Sequence, residues 1–310
     1  MTAIDIFAGC GGSTSGAKAA GVTVLWAANH ALLAVKYHTA NHPEVIHCCQ
    51  DLHQADWDET PDADGFLASP DCRGHSPARG KEQPRHDKYR STAWAVPSLC
   101  EAKRPEFGIV ENVPGFQNWV LYPSWADAMN RLGYSLAPHV LDSADHGVPQ
   151  HRLRLYVVCT RSRSPLWLKL PKRPHVPVSS IIDWSAGEWS PWNRLCDRTR
   201  QRIKQGRKQF GDRFVAPYYS NGSGLCGRSI DRPIGTITTR DRWQIIDGNR
   251  ARFLSVEEFR RAMSFPDAYI LPPAKAKAKF MLGQAVCPPV ITDILNAFKA
   301  GNAPATPRQQ

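Results

Sequence analysis

The chain has 310 residues, enough for one large domain and a smaller one, and 42% of them are hydrophobic, as in ordinary globular proteins. No run of about 18 apolar residues occurs, which argues against a membrane span, and the N-terminus lacks the layout of a signal peptide, so a cytoplasmic protein is predicted. The nine cysteines are scattered without a Cys-x-x-Cys pair, which predicts reduced thiols. No metal site is expected, because His47-Cys48-Cys49 does not follow zinc-ligand spacing.

The net charge of +11 is concentrated in one segment. Residues 161–250 contain 18 Lys and Arg residues against 7 Asp and Glu residues, so this segment accounts for the whole surplus. A charge that served only solubility would be spread more evenly. The concentration therefore predicts a surface that binds a polyanion.

Strands and helices alternate in the first half of the chain. Short apolar runs that end at turn residues predict strands, and helical spacing of apolar residues predicts helices. The predicted strands are 3–8, 22–29, 64–69, 107–112 and 154–160, and the predicted helices are 31–40, 92–103 and 125–134. This alternation is typical of an α/β protein with a doubly wound sheet.

The pattern changes after about residue 161, where prolines, tryptophans and basic residues crowd together without strand–helix alternation. This change predicts a second, irregular domain. Helical patterns return at 255–265, where Ser255 is a candidate N-cap with Glu258 three residues later, and at 288–300. The final residues, 303–310, are predicted to be disordered.

A glycine-rich turn follows the first predicted strand, in the run Asp5-Ile6-Phe7-Ala8-Gly9-Cys10-Gly11-Gly12. Glycines at the start of a helix let a ligand approach the backbone closely. Thr14 stands where the dinucleotide-binding fingerprint has its third glycine, and the turn is not a Walker loop. Alone, the turn indicates only a small-molecule site in an α/β protein.

Six blocks, in order, resemble the motifs of the C5-cytosine DNA methyltransferases. The first is the turn Asp-x-Phe-Ala-Gly-x-Gly-Gly. The others are SPDCRGHS (69–76), ENVPGF (111–116), GVPQHRLRLYVV (147–158), RPIGTITTRD (232–241) and GQAVCPP (283–289). The resemblance runs from residue 3 to about 300. It implies a Rossmann-like methyltransferase sheet with a smaller target-recognition domain.

The family resemblance also implies the organisation and the partners. Residues 1–163 would form the first part of a cofactor-binding catalytic domain, 164–250 the target-recognition domain, and 251–302 the return to the catalytic domain. The implied cofactor is S-adenosylmethionine and the implied partner is double-stranded DNA. The implied reaction is site-specific methyl transfer to C5 of a flipped-out cytosine by a monomer, and a companion restriction endonuclease is left open.

The catalytic residues implied by the family agree with the chemistry. Cytosine C5 is a poor nucleophile until a group adds at C6, and a thiolate can do so, which assigns Cys72 as the attacking group. Glu111 would protonate N3 if burial raises its pKa. Arg154 resembles the family residue that stabilises charge at the O2 carbonyl. Asn112 and Arg152 complete the group, and Arg152 is expected to support the loop.

The resemblance assigns two further sets of residues. The loop after Cys72 is polar and basic, as expected of a segment that helps to extrude a base from the duplex. The implied cofactor-binding residues are Asp5, Phe7, Ala8, Gly9, Gly11, Gly12, Asn29, Asp51, Leu52, Pro70, Gln284 and Val286. The predicted DNA contacts are Arg73, Ser76, Arg79, Lys81, Thr238 and Arg240.

Four features depart from the usual family pattern. Asp71 and Arg73 flank the nucleophile, and we expect a compensating pair, because a carboxylate raises the pKa of a nearby thiol and a guanidinium lowers it. Asn29 replaces the acid that binds the cofactor ribose. Gln284 replaces an asparagine beside the methionine part of the cofactor. His75 stands where an aromatic residue is usual.

Three alternatives stay open. One is an RNA cytosine-C5 methyltransferase, although the Cys-Phe-Thr tripeptide associated with the tRNA-modifying branch is absent. A second is the same scaffold with a modified donor, which the changes at Asn29 and Gln284 would allow. The third is a non-catalytic DNA-binding partner subunit, suggested by the altered Asp-Cys-Arg loop alone.

Overall fold

The computed structural model of the chain describes residues 1–75, 85–218 and 225–301, which form two compact units. Unit 1 contains the described residues of Met1–Leu141, Leu153–Lys172 and the segment that starts at Pro288. Unit 2 contains those of Asp142–Arg152 and Arg173–Cys287. The predicted tail 303–310 lies outside the described residues. Among the described helices, none has both the length and the apolar character that a membrane crossing requires.

Strands and helices alternate in unit 1 and mix in unit 2. The strands are β1 (Thr2–Ile6), β2 (Thr23–Asn29), β3 (Ile46–Cys49), β4 (Gly65–Ala68), β5 (Phe107–Asn112), β6 (Ser135–Asp142), β7 (Leu153–Thr160), β8 (Ser190–Pro191), β9 (Arg213–Pro217), β10 (Arg228–Ser229), β11 (Trp243–Asp247) and β12 (Arg250–Phe253). The helices are α1 (Gly12–Ala19), α2 (Leu32–Asn41), α3 (Arg85–Arg90), α4 (Ala95–Lys103), α5 (Tyr122–Arg131), α6 (Asp197–Phe210), α7 (Val256–Ala262), α8 (Lys275–Gln284) and α9 (Pro288–Gly301).

The large sheet of unit 1 has seven strands among the described residues, in the order β3-β2-β1-β4-β5-β7-β6. Strands β1 to β5 pair in parallel, and β7 pairs antiparallel with β5. The chain adds strands on one side of β1 and then, from β4, on the other. Ligands of such sheets bind at the carboxyl ends of the strands, where the order reverses. The predicted α/β class is confirmed.

Reciprocal glycine–phenylalanine pairs set the register of β4 and β5. Gly65 lies opposite Phe107, and Phe66 lies opposite Gly108. A Cβ atom on Gly65 would come within 2.2 Å of the Phe107 ring, and one on Gly108 within 2.0 Å of the Phe66 ring. Each glycine therefore makes room for the ring on its neighbouring strand, and a shift by one residue would place either the two rings or the two glycines opposite each other.

These two phenylalanine rings are buried on opposite faces of the sheet, because side chains alternate along a strand. Phe66 belongs to the core that also contains Leu99 of α4 and Trp125 of α5. Phe107 contacts Phe298 of α9, with ring centroids 4.7 Å apart. Helices thus cover both faces of β4 and β5.

The predicted strands of the first 160 residues are confirmed, with ends moved by one or two residues. The predicted helix 92–103 differs more. Its α-helical part starts only at Ala95, and Ser91–Trp94 form a 3-10 turn. Pro97 has no backbone N–H and fits an α-helix only in its first turn, which explains the later start.

Unit 2 contains a small antiparallel sheet, in the order β10-β9-β11-β12-β8. Ile203 of α6 packs against Phe214 and Ile246 of this sheet. Strand β12 pairs with β11, and α7 packs on α8, so residues up to Cys287 belong to this unit. The unit boundaries therefore differ from the predicted 164–250 and 251–302. The role of 164–250 in target recognition stays a prediction.

The predicted helix start at Ser255 is confirmed. The Glu258 N–H donates to Ser255 Oγ (3.1 Å), and the Ser255 N–H donates to Glu258 Oε2 (2.7 Å), which completes a capping box. The Glu258 carboxylate also accepts hydrogen bonds of 2.7 Å from the buried Arg252 guanidinium. This ion pair fastens the start of α7 to β12.

Candidate active site

Three of the predicted catalytic residues, Cys72, Glu111 and Arg154, lie at or just beyond the ends of neighbouring strands. They are on the side of the large sheet where its parallel strands have their carboxyl ends. Ala68 at the end of β4 lies opposite Val110 of β5, so the loop that carries Cys72 leaves the sheet beside Glu111. Because β7 runs antiparallel to β5, Glu111 lies opposite Tyr156, and Arg154 enters the sheet at the same edge. Adjacent strands are about 4.8 Å apart, so the Cys72 loop, Glu111 and Arg154 lie close to one another.

Glu111 and Arg154 form an ion pair, with 3.3 Å between Oε1 and Nε. Their side chains are only 10% and 15% exposed. Burial favours the neutral form of a carboxyl group, whereas the adjacent guanidinium favours the ionised form. The two influences act in opposite directions, so a ligand that displaces Arg154 from Glu111 would favour protonation of the acid.

Asn112 connects the loop that carries Cys72 to the end of β5 by a hydrogen bond. Its Nδ2 donates to the carbonyl oxygen of Pro70 at 3.1 Å, and its Oδ1 accepts from the Val113 N–H at 2.9 Å. Asn112 is 1% exposed, so water does not compete for these bonds. Cys72 follows two residues after Pro70 and is half-buried. Asn112 is therefore a positioning residue for the thiol.

His75 closes the turn that contains Cys72, since its N–H donates to the Cys72 carbonyl at 3.0 Å. The buried imidazole packs edge-on against Phe116 and Trp119, with ring centroids 5.0 and 5.5 Å apart. A Cβ atom on Gly115 would lie 2.4 Å from the His75 carbonyl oxygen. At this departure from the family pattern, the histidine serves as a packed aromatic ring.

Asp71 and Arg73 form a closed pair beside the nucleophile. Arg73 Nε donates to both Asp71 carboxylate oxygens, at 2.8 and 3.0 Å, and Nη2 contacts Oδ2. The guanidinium carbon of Arg73 lies 3.9 Å from the ring centroid of Tyr89. The Asp71 N–H donates to Thr92 Oγ1 at 3.0 Å. The Asp71 charge is therefore compensated within the loop, in the geometry expected of the pair.

The glycine-rich turn leaves backbone groups bare at the start of α1. Phe7, Gly9 and Gly11 have positive φ angles of 58°, 57° and 93°. A positive φ is ordinary for glycine but costs phenylalanine of the order of 1 kcal/mol, and such strain is typical of functional sites. Among residues 1–75, 85–218 and 225–301, no side chain caps the helix at Gly11. The first N–H groups of α1 are thus suited to a polar ligand.

The other implied cofactor residues of unit 1 follow β2, β3 and β4 along the same sheet edge. Asn29 ends β2, and its Oδ1 accepts from the Ala31 N–H at 2.9 Å. Asp51 follows β3 and caps a 3-10 turn through the His53 N–H, at 3.1 Å. Leu52 is buried in the core, and Pro70 follows β4. Their contact with a cofactor stays a prediction.

Arg152 is a buried backbone support within unit 2. Its Nη1 donates to the Ile237 carbonyl at 2.9 Å, and its Nη2 donates to the carbonyls of Gly283 and Ala285, both at 3.0 Å. A guanidinium used in this way ties its own loop to two other chain segments, as expected of a loop support.

Of the remaining predicted site residues, some lie within the described ranges and others lie outside them. Gln284 is exposed at the end of α8, Val286 is buried, and Thr238 Oγ1 bonds to the Arg240 carbonyl at 3.1 Å, all within unit 2. Ser76, Arg79 and Lys81 lie outside the described residues. The placement of Gln284 and Val286 at the cofactor stays a prediction.

A buried chain of polar side chains beneath the glycine-rich turn was not predicted. Thr14 Oγ1 donates to Asp5 Oδ2 at 2.7 Å and lies 3.0 Å from His38 Nε2, while His38 Nδ1 lies 2.7 Å from His47 Nε2. The direction of the two His38 contacts depends on the histidine tautomers and on whether Asp5 carries a proton.

Burial determines how these hydrogen-bonded side chains ionise. Burial raises the pKa of Asp5 to about 7. Burial, followed by the positive charges that His42 and His47 can carry, lowers the pKa of His38 to about 3. Burial also lowers the pKa of His42 to about 4 and lowers that of His47. Residues far apart in sequence create this environment, so no local motif reveals it.

The chain belongs to the C-5 cytosine-specific DNA methylase family, whose model matches residues 1–183 and 189–300. It is 26% identical over 307 residues to the Type II methyltransferase M.BsuFI of Bacillus subtilis, covering 96% of this chain and 72% of that protein. It is 25% identical over 303 residues to the Type II methyltransferase M.HhaI of Haemophilus parahaemolyticus, covering 91% and 89%.

A solved structure gives the same fold. The Entamoeba histolytica methyltransferase EhMeth superposes with a TM-score of 0.69 at 16% identity, covering 97% of this chain and 98% of that one. At this identity, the likeness shows the fold alone. The predicted family is confirmed.

The Asp71–Arg73 pair predicts a rate effect at the nucleophile. Replacing Arg73 with Gln leaves the Asp71 charge uncompensated, which disfavours the Cys72 thiolate. We expect Arg73→Gln to slow covalent trapping of a mechanism-based cytosine analogue by about tenfold or more, measured by gel shift of the protein–DNA adduct at constant pH.

The double variant Asp71→Asn/Arg73→Gln serves as the control, because it removes both charges. It should recover most of the trapping rate. Equal rates for the wild type and Arg73→Gln would contradict compensation.

The buried histidines predict acid sensitivity. Unfolded histidines bind protons below about pH 6.5, whereas His38 and His42 stay neutral in the fold, so the free energy of unfolding falls as the pH drops from 6.5 to 4.5. Asp5 acts oppositely in this window, since it holds a proton up to about pH 7 in the fold, but one such group does not offset several histidines. His38→Gln should reduce the slope by up to about 1.4 kcal/mol per pH unit, measured by urea unfolding.

The matched control is His30→Gln, because His30 is exposed. It should leave the slope unchanged. An unchanged slope in His38→Gln would show that the fold does not hold His38 neutral.

Proposed function

We propose that the chain transfers a methyl group from S-adenosylmethionine to C5 of cytosine at specific sites in double-stranded DNA. The observation that carries the proposal is the common sheet edge of Glu111, Arg154 and the Cys72 loop, with Asn112 fastened to Pro70. Family membership supports the same reaction. A protein that modifies cellular DNA would act in the cytoplasm of a bacterial cell.

The thiol and the acid divide the first step. The Cys72 thiolate forms a bond to C6 of a flipped-out cytosine, and the C5–C6 π electrons move toward C5 and the N3 side of the ring. Glu111 gives a proton to N3, which absorbs the developing charge. Arg154 then faces the O2 carbonyl as a fixed cation. The activated carbon is now nucleophilic.

S-adenosylmethionine, when bound, supplies the methyl group that C5 takes. The bare turn at Phe7–Gly12 and the carboxyl ends of β1, β2 and β3 fit a nucleoside-like ligand, because no side chain caps α1 there. Afterwards a base removes the C5 proton, the C6–S bond breaks, and the N3 proton returns to Glu111. The free enzyme is restored with Cys72 as thiolate.

The basic segment 161–250 supports DNA as the substrate, since its 18 Lys and Arg residues suit a phosphate backbone. The Type II names of the relatives support a further proposal, that a restriction endonuclease accompanies this chain. The closed Asp71–Arg73 pair supports an active enzyme over a silent subunit, because it compensates the Asp71 charge beside Cys72.

The test uses purified protein, S-adenosylmethionine labelled in the methyl group, duplex DNA and RNA. Label should enter DNA, and Cys72→Ala should lower its transfer by more than about a thousandfold, because the chemistry has no alternative nucleophile. Cys196→Ala removes an exposed thiol outside the sheet strands and is the matched control, expected to retain activity. Label only in RNA, or DNA binding without label, would refute the proposed function.

A further inference from the structure

A cavity of about 470 Å³ opens in unit 2, lined by Tyr218, Arg240, Asp241, Arg242 and Phe253. All five residues belong to the second half of the chain and lie at the ends of β9 and β12 or in the loop before β11. Two aromatic rings and three charged side chains in one concave surface suit a planar ligand that also forms hydrogen bonds.

The aromatic wall is built by two strand ends. The Tyr218 and Phe253 rings meet edge to face, with centroids 4.8 Å apart. The Tyr218 N–H donates to the Arg242 carbonyl at 2.8 Å, which attaches the charged loop to the end of β9. Both rings are half-buried. The two rings form an apolar surface that excludes water from the side of a bound ligand.

The carboxylate in the cavity is fixed and partly neutralised. Lys279 Nζ donates to Asp241 Oδ1 at 2.6 Å and to the Leu254 carbonyl at 2.6 Å. The Lys279 side chain is only 11% exposed, so the ion pair is sheltered. Asp241 Oδ2 has no hydrogen-bond partner among residues 1–75, 85–218 and 225–301, and it remains available as an acceptor.

The adjacent guanidinium is also available. Arg240 is exposed, and only its backbone groups are engaged, by Thr238 Oγ1. Within the part of the chain that the structure describes, its guanidinium makes no ion pair or hydrogen bond. Arg240 and Asp241, which are adjacent in sequence, therefore present the N–H donors of a guanidinium and one carboxylate acceptor beside the two aromatic rings.

This pattern matches one base pair of DNA. In the major groove, a G·C pair offers two acceptors, guanine O6 and N7, next to one donor, cytosine N4. A phosphate would be repelled by Asp241 and would gain little from the aromatic rings. We propose that Arg240 donates to guanine, that Asp241 accepts from its paired cytosine, and that this cavity thereby reads one G·C pair of the recognition sequence. The inference rests on the proposed function, which it extends to specificity.

The experiment expresses the wild type, Arg240→Ala and Arg240→Lys in a host without cytosine methylation, followed by bisulfite sequencing. Besides the methylated cytosine itself, the methylated sites of the wild type should share a G·C pair at one fixed position. Both variants should relax that position alone, lowering discrimination by about tenfold to a hundredfold on duplexes in which the pair is replaced. Lysine fails because it keeps the charge without the bidentate fork.

Arg261→Ala is the matched control, since it removes an exposed arginine charge on α7, outside the basic segment 161–250. It should leave both motif and rate unchanged, and unfolding curves check that every variant folds. An unchanged motif in Arg240→Ala would overturn the inference. So would an equal loss on all duplexes that Arg240→Lys restores, since that result indicates a phosphate contact. A wild type that methylates no DNA would instead refute the proposed function itself.

Discussion

The packing of two phenylalanine rings over two glycines is the constraint on which the site depends. Gly65 receives Phe107 and Gly108 receives Phe66, so β4 and β5 pair in one register only. That register brings the loop after β4 beside the end of β5, where Asn112 reaches the Pro70 carbonyl. Apolar packing inside the sheet thus positions the polar groups at its edge, where the chemistry requires them.

Arginine has three different roles in this protein. Arg154 forms an ion pair with Glu111. Arg73 is held by Asp71 and by the Tyr89 ring, and it compensates a charge beside the thiol. Arg152 donates to three backbone carbonyls and supports the chain. The partners of each guanidinium therefore determine its role: a predicted catalytic group, a charge that balances a carboxylate, or a support for the backbone.

Much of unit 1 could be predicted from the sequence, because its buried strands are short apolar runs that end at turns. The motifs at those ends predicted which residues meet at the sheet edge. Strand β6 (Ser135–Asp142) was not predicted, since only one of its residues is fully buried and its pattern resembles a loop. The strands of unit 2 were missed for a related reason: they are short, and arginine and tryptophan interrupt their apolar pattern.

The Asp5–Thr14–His38–His47 chain shows a deeper limit. Each of these residues belongs to a different helix or strand, and only the fold brings them into hydrogen-bonding distance. The same holds for the Tyr89 ring under Arg73. Local patterns predict elements and their ends, whereas contacts between side chains of distant elements require the packed structure.

The central claim is that the sulfur of residue 72 bonds to the target base. The most direct measurement is peptide mapping by mass spectrometry of the adduct formed with S-adenosylmethionine and a DNA duplex that contains 5-fluorocytosine, which blocks the final proton removal. The account predicts a modified, methylated base on the peptide that contains Cys72 and on no other of the nine cysteines. An adduct on another cysteine, or ordinary methylation of cytosine with no adduct to the analogue, would contradict it.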